Sequence, residues 1–205
     1  MKENNQSLEK VIIAKILTDR LKLTGLEIRT LYYLEDSLKN HKELHVTVRD
    51  FVKAIHISKD TLYGIYGGKD SLIFAVQGKF EKWLNGFVSV QDGMVRLVPS
   101  ADMFTEYVYL ICRFPGVFSR YLTTVPYDSR KPFSSALEPV DLDDIVKGRV
   151  FFCLCGLIET VRMWTRHCGP DTEFNESEIR RFAETAYPEL KRLELWINGP
   201  TGEKE

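Results

Sequence analysis

Apolar positions return at intervals of three and four along almost the whole chain, which is the spacing that gives a helix one buried face. Leu8, Val11, Ile12, Ile16 and Leu17 form such a stripe and predict a helix from Ser7 to Leu23. Its Lys10, Lys15, Arg20 and Lys22 then supply a basic outer face. Thr24-Gly25 marks a break. A second helix, from Leu26 to Asn40, would bury Leu31, Leu34 and Leu38. Next come two shorter stripes. Thr47, a good N-cap, precedes Val48, Phe51, Val52 and Ile55. Ser58, a second N-cap, precedes Leu62, Ile65 and Tyr66. Gly67-Gly68 stops the second stripe, because glycine accepts the left-handed backbone that often ends a helix.

Further on, the spacing of Leu72, Ile73, Val76, Phe80, Trp83, Leu84 and Phe87 predicts one long helix from Lys69 to about Asp92, softened by Gly78 and Gly86. Asp92-Gly93 and Val98-Pro99-Ser100 punctuate the chain. Ala101 to Arg113 reads as a helix, Phe114-Pro115-Gly116 as a turn, and Val117 to Thr124 as a shorter helix. Three prolines, Pro126, Pro132 and Pro139, make residues 127–140 a loop. Asp141, Asp143 and Asp144 open a helix to His167, where acids suit the positive end of the backbone dipole. That helix is apolar on nearly every side, through Phe151, Phe152, Leu154, Leu157 and Ile158, and so requires partners on more than one face. Asn175 and Glu178 have capping-box spacing ahead of a last helix carrying Ile179, Phe182, Ala186, Leu190, Leu193 and Ile197. Pro188 should kink or divide it.

Two helices as short as those after Thr47 and Ser58 are unstable alone and need a third to close a core. A pair joined by a tight turn is helix-turn-helix geometry, in which the second helix offers its first turn to the major groove of DNA. The ordered residue types carry a resemblance: Thr47-Val48-Arg49-Asp50, Ile57-Ser58, Thr61-Leu62-Tyr63, the aromatic Tyr66, and Lys69-Asp70-Ser71-Leu72. Across roughly residues 26 to 75 the chain resembles the TetR (tetracycline-repressor-like) family of transcription regulators.

The resemblance implies an all-α protein in three parts: an extension helix at 1–24, a three-helix helix-turn-helix DNA-binding domain at 25–72, and a helical ligand-binding and dimerisation domain at 73–205. It further implies a homodimer that binds double-stranded operator DNA, acts as a repressor, and responds to a small effector. Carried over by position, the DNA-facing residues are Thr47, Arg49, Ser58, Lys59, Thr61, Tyr63 and Lys69. Candidate effector-pocket residues are the aromatics Trp83, Phe87, Phe104, Tyr107, Phe118, Tyr121 and Trp164, with Arg113 and Arg162 as anchors for an acidic ligand. For each of these, core packing or surface ion pairing is the competing reading.

Three positions depart from the family pattern. His56 stands where the turn usually has glycine, Ile65 where a phosphate-contacting His or Tyr is common, and Gly64 sits inside the second helix. Charge departs too. Between Leu26 and Leu72 seven cations (Arg29, Lys39, Lys42, Arg49, Lys53, Lys59, Lys69) meet seven acids (Glu27, Glu35, Asp36, Glu43, Asp50, Asp60, Asp70) and cancel. Phosphate neutralisation supplies much of the affinity for DNA, so this balance leaves a second reading open: a TetR-like protein that binds DNA weakly or not at all and acts through a protein partner.

Composition adds limits. The chain has 205 residues, 44% hydrophobic content and a net charge of -1, as expected of an ordinary globular protein. No apolar run approaches the roughly 20 residues needed to cross a bilayer. The first residues lack a secretory cleavage pattern, so the expected location is the cytoplasm. Cys112, Cys153, Cys155 and Cys168 have no disulfide or zinc spacing, and His167-Cys168 is a weak ligand pair, so neither metal nor cofactor is expected. No nucleophile–base pair, phosphate-cradling glycine loop or paired carboxylates point to an enzyme.

Overall fold

The structure is a computed structural model; it describes residues 2–39, 47–117, 142–167 and 176–199. The chain is mostly helical, with one two-stranded antiparallel hairpin. Helix α1 (Lys2–Lys15) continues into a π-type turn at Ile16–Arg20 and leads to α2 (Gly25–Lys39). Then come α3 (Val48–Ala54), α4 (Lys59–Tyr66) and α5 (Lys69–Asn85). Strands β1 (Val88–Gln91) and β2 (Met94–Leu97) precede α6 (Ala101–Arg113) and the single turn α7 (Pro115–Val117). The long helices α8 (Asp144–His167) and α9 (Glu176–Ile197) complete the described chain.

Two apolar cores share two helices. The smaller core holds Phe51, Val52, Ile55, Leu62 and Leu72, with Leu26, Tyr33, Val48, Ile57 and Tyr66 packed around it. The larger one joins Ile13, Ile16 and Leu17 from the N-terminal segment to Leu31, Leu34 and Leu38 of α2, Val76, Phe80 and Leu84 of α5, and the buried faces of α6, α8 and α9. Helices α2 and α5 therefore each turn one face to the small core and another to the large one. The N-terminal helix is tied down as well: Arg20 meets Glu106 of α6 at 2.8 Å, and Arg113 meets Glu9 at 3.5 Å while lying over the rings of Tyr32 and Phe114.

Two buried carboxylates hold these layers in register. Glu35 of α2 is fully buried and accepts hydrogen bonds from the backbone N–H groups of Gly116 (3.2 Å) and Val117 (2.9 Å) at α7. Glu27, also buried, accepts from the Thr24 N–H at 2.6 Å and from Lys79 of α5. Lys79 in turn donates to the Lys22 carbonyl at 2.7 Å, closing the link between the α1–α2 connection and α5.

The helix expected from Lys69 to Asp92 ends seven residues earlier, at Asn85. Val88 to Leu97 form the hairpin instead, with Val90 opposite Val95 and Asp92-Gly93 at the turn. Asp92 (φ 53°) and Gly93 (φ 73°) both take the left-handed backbone that such a two-residue turn demands. The outer edge of β2 is covered by side chains from one face of the last helix and its end. Asn198 donates to the Val95 carbonyl (2.9 Å) and accepts from its N–H (2.8 Å). Glu194 accepts from the Leu97 N–H at 2.7 Å, and Lys191 donates to the Leu97 carbonyl at 2.7 Å. Spaced at three and four, these side chains complete hydrogen bonds that an uncovered edge strand would offer to another chain.

Other findings are local. Pro188 does not divide α9, which is one helix from Glu176 to Ile197. Pro188 and Glu184 are both solvent-exposed. Phe114-Pro115-Gly116 is a helical turn in part, since α7 begins at Pro115. The expected helix to Thr124, the proline loop and Asn175 lie outside the described residues. α8 buries Val150, Cys153, Leu154, Leu157 and Val161, whereas Phe152 is 72% exposed. No helix of the described residues is long and apolar enough to cross a membrane.

Candidate nucleic-acid interface

Helices α3 and α4 are set by three local devices that the sequence encodes. Thr47 is extended (φ -63°, ψ 153°) and its hydroxyl accepts from the Asp50 N–H, capping α3; the same hydroxyl donates to the Asp50 carboxylate at 2.7 Å. Ser58 is extended likewise, accepts from the Thr61 N–H at 3.0 Å and shares a hydrogen bond with the Thr61 hydroxyl. Gly67, at φ 77°, ends α4 with its N–H bonded to the Tyr63 carbonyl. Between the two helices His56 takes φ 57°, a left-handed conformation in which histidine is less unfavourable than most residues other than glycine.

The burial pattern of α4 then follows from its period. Leu62 is fully buried and Tyr66 is half-buried, its hydroxyl 3.4 Å from that of Thr24. Lys59, Asp60, Thr61, Tyr63, Gly64 and Ile65 are exposed. Ile65, expected on the buried face with Leu62 and Tyr66, is instead 65% exposed. It falls on the flank of the helix, because three residues advance the side chain by about 300° rather than a full turn.

All seven residues carried over as DNA-facing lie on α3, α4, α5 or their caps. Thr47, Arg49, Ser58, Lys59, Thr61 and Tyr63 are exposed, and Lys69 is half-buried at the start of α5, 3.8 Å from Asp70. The Tyr63 ring passes beside the Gly67-Gly68 turn, where a Cβ built on Gly68 would sit 3.8 Å from it. This brings Tyr63 next to the first turn of α5. That turn has Gly68 as its N-cap and no side-chain capping bond.

The charge balance of residues 26–72 changes once burial is counted. Glu27 and Glu35 point inward and are engaged by Lys79 and by backbone amides. Among the described residues of this stretch that lie outside the core, Arg29, Arg49, Lys53, Lys59 and Lys69 then stand against Asp36, Asp50, Asp60 and Asp70. Burial alone would push the Glu27 carboxyl up, but its bonds to Lys79 and Thr24 outweigh that and hold it below its ordinary value of 4.5.

The candidate effector residues of the body fall into two aromatic groups. Trp83, Phe87 and Tyr107 pack edge to face or tilted, with centroids 5.0 to 6.2 Å apart. Phe104 lies 6.4 Å from both Phe182 and Tyr187, and Trp164 stacks on Phe182 at 4.3 Å. Phe87, Phe104 and Tyr107 are buried, while Trp83 and Trp164 are half-buried. Phe118 and Tyr121 lie outside the described residues, as does the Arg162 side chain. Arg113 is engaged by Glu9, Tyr32 and Phe114.

Tyr109, also buried, was not singled out by its sequence context. Its phenol is pushed up to about 12, first by burial and then by the charge of Glu176. Among the described residues no group of three or more His, Cys, Asp or Glu is placed to hold a metal ion. Burial pushes up the thiols of Cys153 and Cys155, and the charge of Glu159 acts on Cys155 in the same direction.

No protein-family model matches the chain, and no curated protein or solved structure matches it.

Proposed function

We propose that the protein is a dimeric, TetR-like DNA-binding transcriptional regulator, with α3 and α4 as its helix-turn-helix and a small effector acting through the body. The observation that carries this reading is the placement of α4. A capped eight-residue helix stands on its own small core with Lys59, Thr61 and Tyr63 turned outward. Support also comes from the N-terminus of α5 beside Lys69 and Tyr63, which has no side-chain cap from Gly68, since a helix start suits a phosphate. The surplus of cations left by internalising Glu27 and Glu35 acts in the same direction.

An operator-binding dimer needs two heads about one helical turn of DNA apart. For the partner surface we assign the outer side of α8 and α9, where Ile145, Phe152, Met163, Leu195 and Trp196 are all exposed. Regulation follows from the shared helices. An effector that favours one packing of the body displaces α2 and α5, and both also form the head, so head spacing shifts with it.

The test is binding of the full chain to its own upstream DNA at several salt concentrations. Arg49, Lys59 and Lys69 in two heads give about six phosphate contacts, and affinity should fall about 1000-fold from 50 to 200 mM salt. Lys69→Ala should lower the salt slope by about 2 per dimer, and Tyr63→Ala should weaken binding. The second reading, a regulator acting through a protein partner, is favoured by exposed Ile65 where the family carries a polar phosphate contact. No binding at any salt concentration would select it.

A further inference from the structure

The face that α4 turns outward has an unexpected centre. Side chains advance by about 100° per residue, so the direction opposite buried Leu62 and half-buried Tyr66 is occupied by Asp60 and Gly64. Thr61 and Tyr63 flank them. An acid at the middle of a surface meant for DNA opposes phosphate, and its neighbours do not neutralise it. Asp50 is held by the Thr47 hydroxyl at 2.7 Å, and Asp70 lies 3.8 Å from Lys69. Asp60 is exposed in the first turn of α4.

Gly64 stands one turn along the same face, and a Cβ built on it would meet nothing within 4 Å. A glycine in an exposed helix interior weakens the helix, and nothing inside the protein requires one here. What its missing side chain provides is a flat strip of backbone. Such a strip lets the helix approach a groove floor closely enough for a short carboxylate to reach a base edge.

We infer, resting on the DNA-binding reading above, that Asp60 reads a cytosine through its exocyclic amine in the major groove and that Gly64 gives it the close approach this requires. A carboxylate accepts hydrogen bonds only, and the N4 amine of cytosine is a donor in that groove. Away from its own base, Asp60 loses affinity to the phosphates, so the same residue penalises non-cognate DNA. It is a specificity device as much as a contact.

The experiment is selection of bound duplexes from a randomised pool with the full-length protein, followed by affinity measurement on the enriched site. The wild type should require cytosine at one position of each half-site. In Asp60→Asn the side-chain amide can both donate and accept, which suits adenine, so the preference at that position alone should move from cytosine to adenine. Discrimination against the wrong base there should be about tenfold or more in each protein. Gly64→Ala should melt at a higher temperature yet bind the enriched site at least tenfold more weakly. Enrichment of one unchanged site by wild type and Asp60→Asn, or a Gly64→Ala protein that is both more stable and equally tight, overturns the inference while leaving DNA binding intact. A wild type that enriches no sequence removes the DNA-binding reading and the inference together.

Discussion

Removal of the Glu35 carboxylate should loosen the joint between α2 and α7. Glu35 is fully buried, and both its oxygens are used by the amides of Gly116 and Val117. In Glu35→Ala those two donors lose their partners, at about 1–3 kcal/mol each, and the truncated side chain leaves a space behind it. The expected loss is about 3–5 kcal/mol from a total stability of about 5–15 kcal/mol. For a chain of this size that lowers the melting temperature by about 6–20 °C. Glu35→Gln keeps one acceptor oxygen but turns an amide donor toward the second N–H, so it should recover no more than about half of the loss.

Gly116 tests the same joint from the other side. A Cβ there would stand 3.0 Å from the Leu38 Cβ and 3.1 Å from a Glu35 oxygen, so Gly116→Ala should cost about 1–3 kcal/mol. Because Glu35→Ala removes one of the two close neighbours, the double variant should lose less than the two single losses added together. Urea unfolding followed by far-ultraviolet circular dichroism measures all five proteins, the wild type included. If Glu35→Ala unfolds within about 0.5 kcal/mol of the wild type, or the two changes are strictly additive, the carboxylate is not the joint.

Three further outcomes are expected. Folding holds the Glu27 carboxyl below its ordinary 4.5, so its contribution is fully present above that value and disappears as pH falls through the folded one. Wild-type stability should therefore drop more steeply between pH 5 and pH 3 than that of Glu27→Gln; parallel curves would remove the Lys79 pairing as the cause. His56→Gly should raise stability by about 0.5–1 kcal/mol, since relief of the left-handed strain exceeds the added freedom of the unfolded chain, and a lower urea midpoint would contradict this. On the proposed dimer, the wild type should sediment at twice the chain mass and Phe152→Asp at the chain mass while staying folded, because Phe152 is 72% exposed. A wild type at the chain mass, or a variant of unchanged mass, would refute this contact.

Short-range chemistry was readable from the sequence alone. Thr47 and Ser58 cap the helices they precede, and Gly67 ends α4 in the left-handed region, because a cap needs only a side-chain oxygen or a missing Cβ within a few residues. The buried stripes of α2, α5 and α9 were equally legible, since each is one period of one helix. Where two local signals competed, spacing misled. Phe80, Trp83, Leu84 and Phe87 continue a helical stripe up to β1, and they outweighed the alternating Val88-Ser89-Val90 and the Asp92-Gly93 turn signal that mark the hairpin. The hairpin needs a partner that lies a hundred residues on: Lys191, Glu194 and Asn198 complete the edge of β2.

Charge shows the same division. A count along residues 26–72 gives zero, because a sum has no inside or outside. Only the folded chain sends Glu27 to Lys79 and Glu35 to the amides of α7, while leaving Asp60 at the centre of the outward face. The sequence by itself determined the caps at Thr47 and Ser58, the stop at Gly67, and which residue types lie near α4. Tertiary structure decided which of those residues meet water, because burial depends on contacts between segments far apart in the chain.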